Sequence, residues 1–350
     1  MAAKGKQTRT FVCSCFFEDN LYIKKYRMHV SYRNKKTFME TCAKELRLRG
    51  CVTDAQFAEV IEEIESEISR RRALGEVSLQ RRAMITEEYV PLHEDVYQLQ
   101  ESFLDPQFLD LVSDISSVDC LKKQLQEVEF CHRLLEELEH IEQSSCPKGR
   151  PNTMNSYGVL LDEYGFDNGL LTPLREIYLM PLTSVLFPDC GGGCLDSHKA
   201  FTVIYSTSHD HDLSCHYDNA EVTLNVCLGY EGFTGGDLYF HGMKDEDEWT
   251  RQKLHCQHHL GWGILHRGAH MHGADPLISG TRCNLIMWMR ASSVRNKQCP
   301  MCGQPPKLVE MYGADDGYRL DKGRELEGAK GNEASQSDPV DRDVDVCRLL

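Results

Sequence analysis

The segment Val222-Thr-Leu-Asn-Val-Cys-Leu228 is the clearest of six short runs of strand-forming residues in the second half of the chain. Loops that contain Gly and Asp separate the runs, and no helical pattern lies between them. The runs cover residues 200–205, 222–228, 237–240, 252–256, 263–266 and 282–289. Short strands at nearly even spacing are typical of an antiparallel sandwich or barrel, so the pattern disfavours a parallel α/β sheet.

The first part of the chain has helical periodicity instead. Apolar side chains recur at three- and four-residue steps over residues 54–74, as on the buried face of an amphipathic helix. Thr53 and Gln56 match a capping box before this helix, and Gly75 is its predicted end. A second helix is predicted over about residues 121–140. We expect both helices to pack against neighbouring elements.

These patterns predict an α+β protein with five regions. A Pro- and Gly-containing segment that begins at Cys146 separates the first region from the second. The regions are a helical amino-terminal region (1–146), a lead-in with a helix that opens at Thr172 and Pro173 (147–196), a strand-rich core (197–292), a segment with a Cys-x-x-Cys motif (293–312) and an acidic tail (313–350). The tail lacks apolar periodicity, and we expect it to be flexible.

The composition excludes several classes of protein. With 350 residues, of which 41% are hydrophobic, the chain is too long for a single small module and too apolar for a disordered protein. Its formal net charge of -15 disfavours binding to nucleic acid through phosphate contacts. No apolar run is long enough to span a bilayer, and no signal peptide is expected. The 16 scattered cysteines indicate reduced thiols, so the expected compartment is the cytoplasm or nucleus.

A His-x-Asp triplet lies between two of the predicted strands. His216 and Asp218, together with His272, supply the two imidazoles and one carboxylate that hold non-haem Fe(II). On an extended chain, residues i and i+2 lie on the same face, so His216 and Asp218 can bind one ion. Two further triplets, at 93–95 and 140–142, lie in the helical region, where such side chains diverge around the helix axis. Only the first triplet is therefore predicted to form a site.

Other residues near these strands are candidate parts of the same site. Arg282 follows His272 by ten residues, and its planar guanidinium suits bidentate binding of a distant carboxylate. Tyr205, at the end of a predicted strand, can add a phenolic hydrogen bond. His270 is an alternative metal ligand, although the spacing to Arg282 favours His272. Asn225 and His266 are two further polar residues, and each either belongs to the core or faces the cavity.

Five ordered segments between residues 197 and 291 resemble the prolyl and lysyl hydroxylase branch of the 2-oxoglutarate and Fe(II)-dependent oxygenases. The segments are His216-Tyr-Asp-Asn-Ala220, Thr223-Leu-Asn-Val-Cys-Leu228, Phe233-Thr-Gly-Gly-Asp-Leu-Tyr-Phe240, Gly261-Trp-Gly-Ile-Leu-His-Arg-Gly268, and His272 with Gly280-Thr-Arg282. The resemblance implies a double-stranded β-helix, or jelly roll, in the core. It also implies Fe(II) as cofactor, 2-oxoglutarate as cosubstrate and L-ascorbate as reductant.

The same resemblance implies residue roles and a reaction. His216, Asp218 and His272 match the iron ligands of the family. Arg282 matches the residue that binds the 5-carboxylate of 2-oxoglutarate, and Tyr205 matches a tyrosine that contacts the cosubstrate. The implied reaction is a hydroxylation that releases succinate and CO2, with a prolyl or lysyl side chain as the expected substrate class. The substrate itself, protein or small molecule, and the oligomeric state stay open, and no nucleic-acid partner is expected.

One departure from the family favours a different function. Family members commonly have a strand and a turn before the helix that corresponds to residues 130–140, whereas residues 121–128 here continue a helical pattern. A missing or replaced outer strand would leave an unpaired sheet edge. The alternative hypothesis is therefore an interaction protein that keeps the oxygenase fold without turnover.

Cys299 and Cys302 form half of a zinc site. A structural zinc ion needs four ligands, and Cys347 is the only other cysteine downstream. The sequence therefore favours free thiols or a redox pair at this motif, with metal binding as the alternative.

Overall fold

Helices and short antiparallel strands make up the computed structural model, which describes residues 9–116, 127–230, 232–246 and 253–320. The strands are β1 (Phe11–Cys13), β2 (Leu21–Ile23), β3 (Met28–Val30), β4 (Ser197–Ser206), β5 (Leu213–His216), β6 (Val222–Gly229), β7 (Thr234–Gly235), β8 (Leu238–Met243), β9 (Leu254–Cys256), β10 (Gly263–Arg267), β11 (His270–Ala274), β12 (Leu277–Ser279), β13 (Thr281–Arg290) and β14 (Leu308–Glu310). The α-helices are α1 (Cys15–Glu18), α2 (Lys35–Leu48), α3 (Asp54–Glu88), α4 (Pro106–Ser116), α5 (Glu127–Gln143), α6 (Met180–Leu186) and α7 (Ser292–Arg295). Two π-helical segments, Asp167–Leu171 and Leu174–Leu179, precede α6.

Two four-stranded antiparallel sheets form the strand-rich core. The larger sheet has the strand order β10-β6-β13-β4, and the smaller sheet has the order β5-β11-β8-β9. In the larger sheet β13 pairs with β4 along its whole length, so that Arg282 lies opposite Tyr205. In the smaller sheet β11 pairs with β5, and His272 lies opposite His216. Strand register therefore brings together candidate site residues that are far apart in sequence.

The two faces of the larger sheet have different environments. The odd-numbered residues 283–289 of β13 are buried in the main hydrophobic core, together with Leu134 and Leu138 of α5. The even-numbered residues 282–288 line a cavity between the two sheets. Side chains alternate across a strand, so β13 contributes to the core and to the site at once. Each fully buried core side chain contributes about 1.5–3 kcal/mol through loss of apolar contact with water.

Helix α3 is longer than its sequence pattern predicts. The predicted capping box is present at Thr53 and Gln56, but the helix continues through Gly75 to Glu88. Gly75 is buried, and a Cβ atom at this position would overlap the carbonyl oxygen of Tyr312. The prediction that Gly75 ends the helix is therefore wrong. Glycine here permits the close approach of a distant segment and does not serve as a left-handed cap.

The amino-terminal region is not purely helical. Strands β2 and β3 pair with each other, and their buried residues share a small core with α2 and the start of α3. Strand β1 pairs antiparallel with β14, near the other end of the described chain. These three-residue strands are too short to give a periodic signal in the sequence, which explains why a helical region was predicted.

Part of the predicted flexible tail is packed against the fold. In residues 313–319, Tyr318 is only 1% exposed, and the carbonyl oxygen of Asp315 accepts a 2.7 Å hydrogen bond from Nη1 of Arg290. An irregular segment held by such bonds needs no apolar periodicity. The tail prediction is therefore wrong for these seven positions, and residues 321–350 lie outside the described residues.

The other predicted elements agree with the structure to different degrees. Each of the six predicted runs contains or overlaps a strand, whereas β5, β7, β11 and β12 were not predicted. The helix predicted over 121–140 is described from Glu127, as α5, and residues 121–126 lie outside the described ranges. The helix expected to open at Thr172 begins earlier, at Asp167. Within the described ranges, no helix has both the length and the apolar character that crossing a membrane requires.

Candidate metal and cosubstrate site

Three side chains that can bind a metal ion meet in the cavity between the sheets. His216 ends β5, Asp218 follows two positions later, and His272 lies on β11. Nε2 of His216 is 3.5 Å from Asp218 Oδ1, and Nε2 of His272 is 3.6 Å from Asp218 Oδ2. These separations exceed the ordinary hydrogen-bond length of about 2.7–3.2 Å. They are short enough for the three groups to share one ion.

A backbone carbonyl group orients each of the two histidines. Nδ1 of His216 is 2.9 Å from the carbonyl oxygen of Ser214, and Nδ1 of His272 is 2.9 Å from that of His270. Because a carbonyl oxygen can only accept, each Nδ1 donates, and each Nε2 keeps a lone pair for an ion beside Asp218. Histidines that bind metals usually have such an outer hydrogen bond.

Asp218 is held in its ionised form although it is buried. Burial alone disfavours the carboxylate, but attraction to the imidazoles of His272 and His216 in their protonated forms outweighs burial and holds the pKa of Asp218 below its usual range. Thr223 Oγ1 also donates a 2.7 Å hydrogen bond to Asp218 Oδ2. Burial lowers the pKa of His272 to about 3, against the opposing attraction of Asp218. At neutral pH Asp218 is thus anionic and His272 neutral, as metal coordination requires.

Arg282 is a buried cation on the wall of the same cavity. Only 1% of the surface of Arg282 is exposed. Its Nη1 donates a hydrogen bond to the carbonyl oxygen of Gly236, and its guanidinium carbon lies 4.9 Å from the centre of the Tyr205 ring. Among the described residues, no carboxylate forms an ion pair with it, and its Nε has no hydrogen-bond partner. Burial lowers the pKa of Arg282, because its charge is incompletely compensated. The cavity therefore suits an anionic ligand.

The chemistry of these side chains matches the groups that bind iron and a dicarboxylate. Two imidazoles and one carboxylate are the donor set of a common class of non-haem Fe(II) sites, and an unpaired guanidinium suits the far carboxylate of a bound dicarboxylate. Burial raises the pKa of Tyr205 to about 12, so its hydroxyl group stays protonated. Asn155 Nδ2 donates to this hydroxyl at 3.4 Å, which leaves the hydroxyl hydrogen for a ligand.

The structure brings the residues predicted from the sequence to one cavity, lined by Tyr205, His216, Asp218, His272 and Arg282. His270, the alternative ligand, is not part of the group of metal-binding donors in the described residues. Asn225 lines the cavity. His266 is buried beside it, with Nε2 4.0 Å from Asp218 Oδ2.

Sequence reasoning missed several polar side chains that complete the cavity wall. Asn284 lies two positions after Arg282 on β13, and its Nδ2 donates a 2.7 Å hydrogen bond to Asn225 Oδ1. Strand alternation is the signal that could have identified Asn284. Asn152 and Asn155 also line the cavity. They belong to an irregular segment before the sheets, where no periodicity indicates the direction of a side chain.

Similarity to known proteins extends over nearly the whole chain. A family model described as the OGFOD2-like domain matches residues 85–192. The Xenopus tropicalis protein named 2-oxoglutarate and iron-dependent oxygenase domain-containing protein 2 is 51% identical over 97% of this chain and 98% of its own length. The chain belongs to this OGFOD2-like family. The Homo sapiens protein of the same name is 47% identical over 91% of this chain and 96% of its own length.

The chain is also similar to plant proteins. The Arabidopsis thaliana 2-oxoglutarate and iron-dependent oxygenase domain-containing protein ICU11 is 39% identical over 61% of this chain and 59% of its own length. The names of these relatives refer to 2-oxoglutarate and iron. The His-Asp-His donor group of this chain agrees with those names.

Proposed function

We propose that this chain is an Fe(II)- and 2-oxoglutarate-dependent dioxygenase with a double-stranded β-helix core. The proposal depends above all on one observation. The metal-binding group of His216, Asp218 and His272 lies on the same cavity as the buried and unpaired Arg282. The reaction hydroxylates a substrate and releases succinate and CO2, with L-ascorbate as the reductant that keeps the iron ferrous.

The proposed roles follow from the chemistry of each side chain. His216, Asp218 and His272 hold Fe(II), and Arg282 pairs with the 5-carboxylate of 2-oxoglutarate, with the Tyr205 hydroxyl as a further donor. Bound Fe(II), with 2-oxoglutarate and dioxygen, supplies the oxidation of a C–H bond. The protein orients these groups and excludes water, since Asp218, His272 and Arg282 are buried.

A second cavity provides a place for the substrate. Its volume is about 220 Å³, and it shares His216, Trp288, Asn152 and Asn155 with the first cavity. Three methionines add an apolar lining, namely Met154, Met271 and Met301. Pockets for whole drug-sized ligands measure roughly 300–1,000 Å³, so the cavity suits one side chain. This supports a protein substrate, with prolyl and lysyl side chains as the proposed class.

The first test is an anaerobic titration of the full chain with ferrous iron and 2-oxoglutarate. The proposal expects a visible metal-to-ligand charge-transfer band, and succinate once air and ascorbate are added. The band should disappear in Asp218→Ala and weaken in Arg282→Ala. It should be unchanged in His140→Asn, which alters one of the two helical His-x-acid triplets. Peptides that stimulate succinate formation should then gain one oxygen atom on Pro or Lys.

Well-folded protein that forms neither the band nor succinate would contradict the proposal. That result would favour the non-catalytic interaction protein that keeps the oxygenase fold. Oxygen gained on another residue type would retain the reaction and refute the proposed substrate class.

A further inference from the structure

Four cysteines from opposite ends of the described chain meet outside the oxygenase cavity. Cys13 and Cys15 come from β1 and the start of α1, and Cys299 and Cys302 come from the turn after α7. All four Sγ atoms lie within 4.8 Å of one another. No disulfide joins them, since all four are free thiols. The sequence indicated only half of this group.

The spacing of the sulfur atoms matches a tetrahedral metal site. Zinc bound by four thiolates has Zn–S bonds of about 2.3 Å, so the sulfurs are about 3.8 Å apart at the corners of a regular tetrahedron. The Sγ atoms of Cys15 and Cys299 are 3.7 Å apart. A disulfide would need about 2.05 Å. We infer that Cys13, Cys15, Cys299 and Cys302 bind a structural zinc ion.

Backbone pairing places the two halves of the site side by side. Cys13 lies opposite Leu308 in the β1–β14 ladder, and the next residue, Ser14, donates its N–H to the carbonyl oxygen of Lys307 at 2.7 Å. The ladder therefore fixes the Cys-x-Cys pair next to the Cys-x-x-Cys turn. This arrangement does not depend on the thiols themselves, so the site is formed by the fold.

Backbone hydrogen bonds hold the Cys-x-x-Cys turn in a conformation that keeps the sulfur atoms of Cys299 and Cys302 close together. The N–H of Gly303 donates to the carbonyl oxygen of Cys299 at 2.9 Å, and the N–H of Cys299 donates to that of Gln304 at 2.8 Å. Gly303 has a φ of +69°, a conformation that glycine adopts without strain. The turn is thus closed immediately after Cys302.

The surroundings favour a closed structural site. Cys299 is 0% exposed and Cys13 is 4% exposed, and Tyr318 Oη donates a 3.0 Å hydrogen bond to Cys299 Sγ. A hydroxyl donor to sulfur is the kind of outer contact that stabilises a bound thiolate. Four protein ligands leave no open position, which distinguishes a structural zinc from a catalytic one. Binding replaces thiol protons by four Zn–S bonds and releases the protons, without electron transfer.

The zinc turn also contacts the triplet of the oxygenase site. Tyr217, between His216 and Asp218, donates its hydroxyl hydrogen to the carbonyl oxygen of Met301 at 2.9 Å. Met301 lies inside the Cys-x-x-Cys motif and lines the second cavity together with Tyr217. The inferred zinc therefore stabilises one wall of that cavity as well as the junction of β1 with β14.

The test is the metal content of the full chain, purified without a polyhistidine tag and without chelators. The inference expects about one zinc ion per chain. Cys13→Ser and Cys302→Ser should lose most of it, whereas Cys194→Ser, at an exposed cysteine outside the group, should retain it. Asp218→Ala should retain zinc while it loses iron, which separates the two sites.

A second measurement keeps the test decisive if the serine variants do not fold. Stepwise mercaptide formation with a mercurial reagent on the unaltered chain should release zinc to a chromogenic chelator. Chain produced with Co(II) should have the absorption bands of a tetrahedral tetrathiolate site. Any one of three results would overturn the inference. They are a folded wild-type chain without zinc, zinc retained in both serine variants, and a Cys299–Cys302 disulfide found by mass spectrometry.

Discussion

Arg282 faces the ring of Tyr205 across the β13–β4 ladder, with its guanidinium carbon 4.9 Å from the ring centre. A ring face attracts a cation but does not neutralise it. The buried charge of Arg282 therefore destabilises the chain until an anion is bound, since an unpaired buried charge is costly. Stability and cosubstrate binding should depend on this residue in opposite directions.

Replacing Arg282 by methionine tests this relationship. We expect Arg282→Met to leave the melting temperature of the unliganded chain unchanged or raised, because an apolar side chain of similar length removes the unpaired charge. The additional stabilisation that 2-oxoglutarate gives to the metal-bound chain, measured by thermal unfolding, should decrease, while the stabilisation by metal alone should remain. Loss of charged hydrogen bonds worth about 1.5–3 kcal/mol corresponds to roughly 10- to 100-fold weaker cosubstrate binding. Arg267→Ala, at a partly exposed pair with Asp189, is the control, and equal cosubstrate stabilisation in both variants would refute the expectation.

The hydrogen bond from Thr223 to Asp218 should tune metal affinity. Thr223→Val keeps the shape of the side chain but removes the donor to Asp218 Oδ2. Loss of such an outer contact typically weakens metal binding by about 10- to 100-fold. Titration with Fe(II) or Mn(II) measures the change, and Thr86→Val, on the exposed side of α3, should have no effect. Unchanged affinity in Thr223→Val would mean that the bond does not orient the carboxylate.

The substitution Gly75→Ala should change the stability of the fold in the direction opposite to the one that helix propensity predicts. In an exposed helix, Gly→Ala stabilises by about 1 kcal/mol. Here the added Cβ would overlap the Tyr312 carbonyl oxygen, so Gly75→Ala should destabilise by about 1–3 kcal/mol. Denaturant unfolding measures this, with Glu76→Ala at the exposed neighbouring position as control. A stabilised Gly75→Ala variant would show that the contact with residues 312–313 is not formed.

His258 should make the chain sensitive to mild acid. Burial, together with the charge of Arg282, lowers the pKa of His258 to about 3, against about 6.5 in an unfolded chain. As the pH falls below about 6.5, the unfolded chain binds a proton that the folded chain does not, so stability decreases. The loss from His258 between about pH 7.5 and about pH 5.5 is about 1.4 kcal/mol.

Unfolding in denaturant at those two pH values tests the effect of His258. His258→Leu should lose less stability on acidification than the unaltered chain. His211→Asn, at a largely exposed histidine, should lose as much as the unaltered chain does. The same pH dependence in all three proteins would rule out His258 as the cause.

The sequence predicted those parts of the fold that depend on interactions between residues close together in the chain. The strand-forming run over residues 282–289, the capping box at Thr53 and the spacing of His216 and Asp218 each lie within a few residues. By contrast, β5 and β11 were not predicted, because Leu213-Ser-Cys-His216 and His270-Met-His-Gly-Ala274 contain no β-branched residue and no Tyr, Phe or Trp, the residues that favour strands. Their partners in the sheet, not their composition, decide their conformation.

Contacts between distant segments could not be predicted either, because local sequence patterns do not indicate which segments meet in the fold. Gly75 matched a helix stop because nothing local indicates Tyr312 as its neighbour. Cys299 and Cys302 have the spacing of half a metal site, because Cys13 and Cys15, which complete the group, precede them by more than 280 residues. A periodic pattern carries no information about which chain segment covers it.

The pairing of β1 with β14 has a consequence for how the protein is made. Arg9 and Glu310, which form an ion pair beside this ladder, are 301 positions apart. At a synthesis rate of about 5–20 residues per second, β1 leaves the ribosome roughly 15–60 s before its partner does. Such a long-range contact forms late and slowly. The early-emerging strand must therefore wait for β14, and during that interval its apolar residues Phe11 and Val12 have no strand partner to pair with.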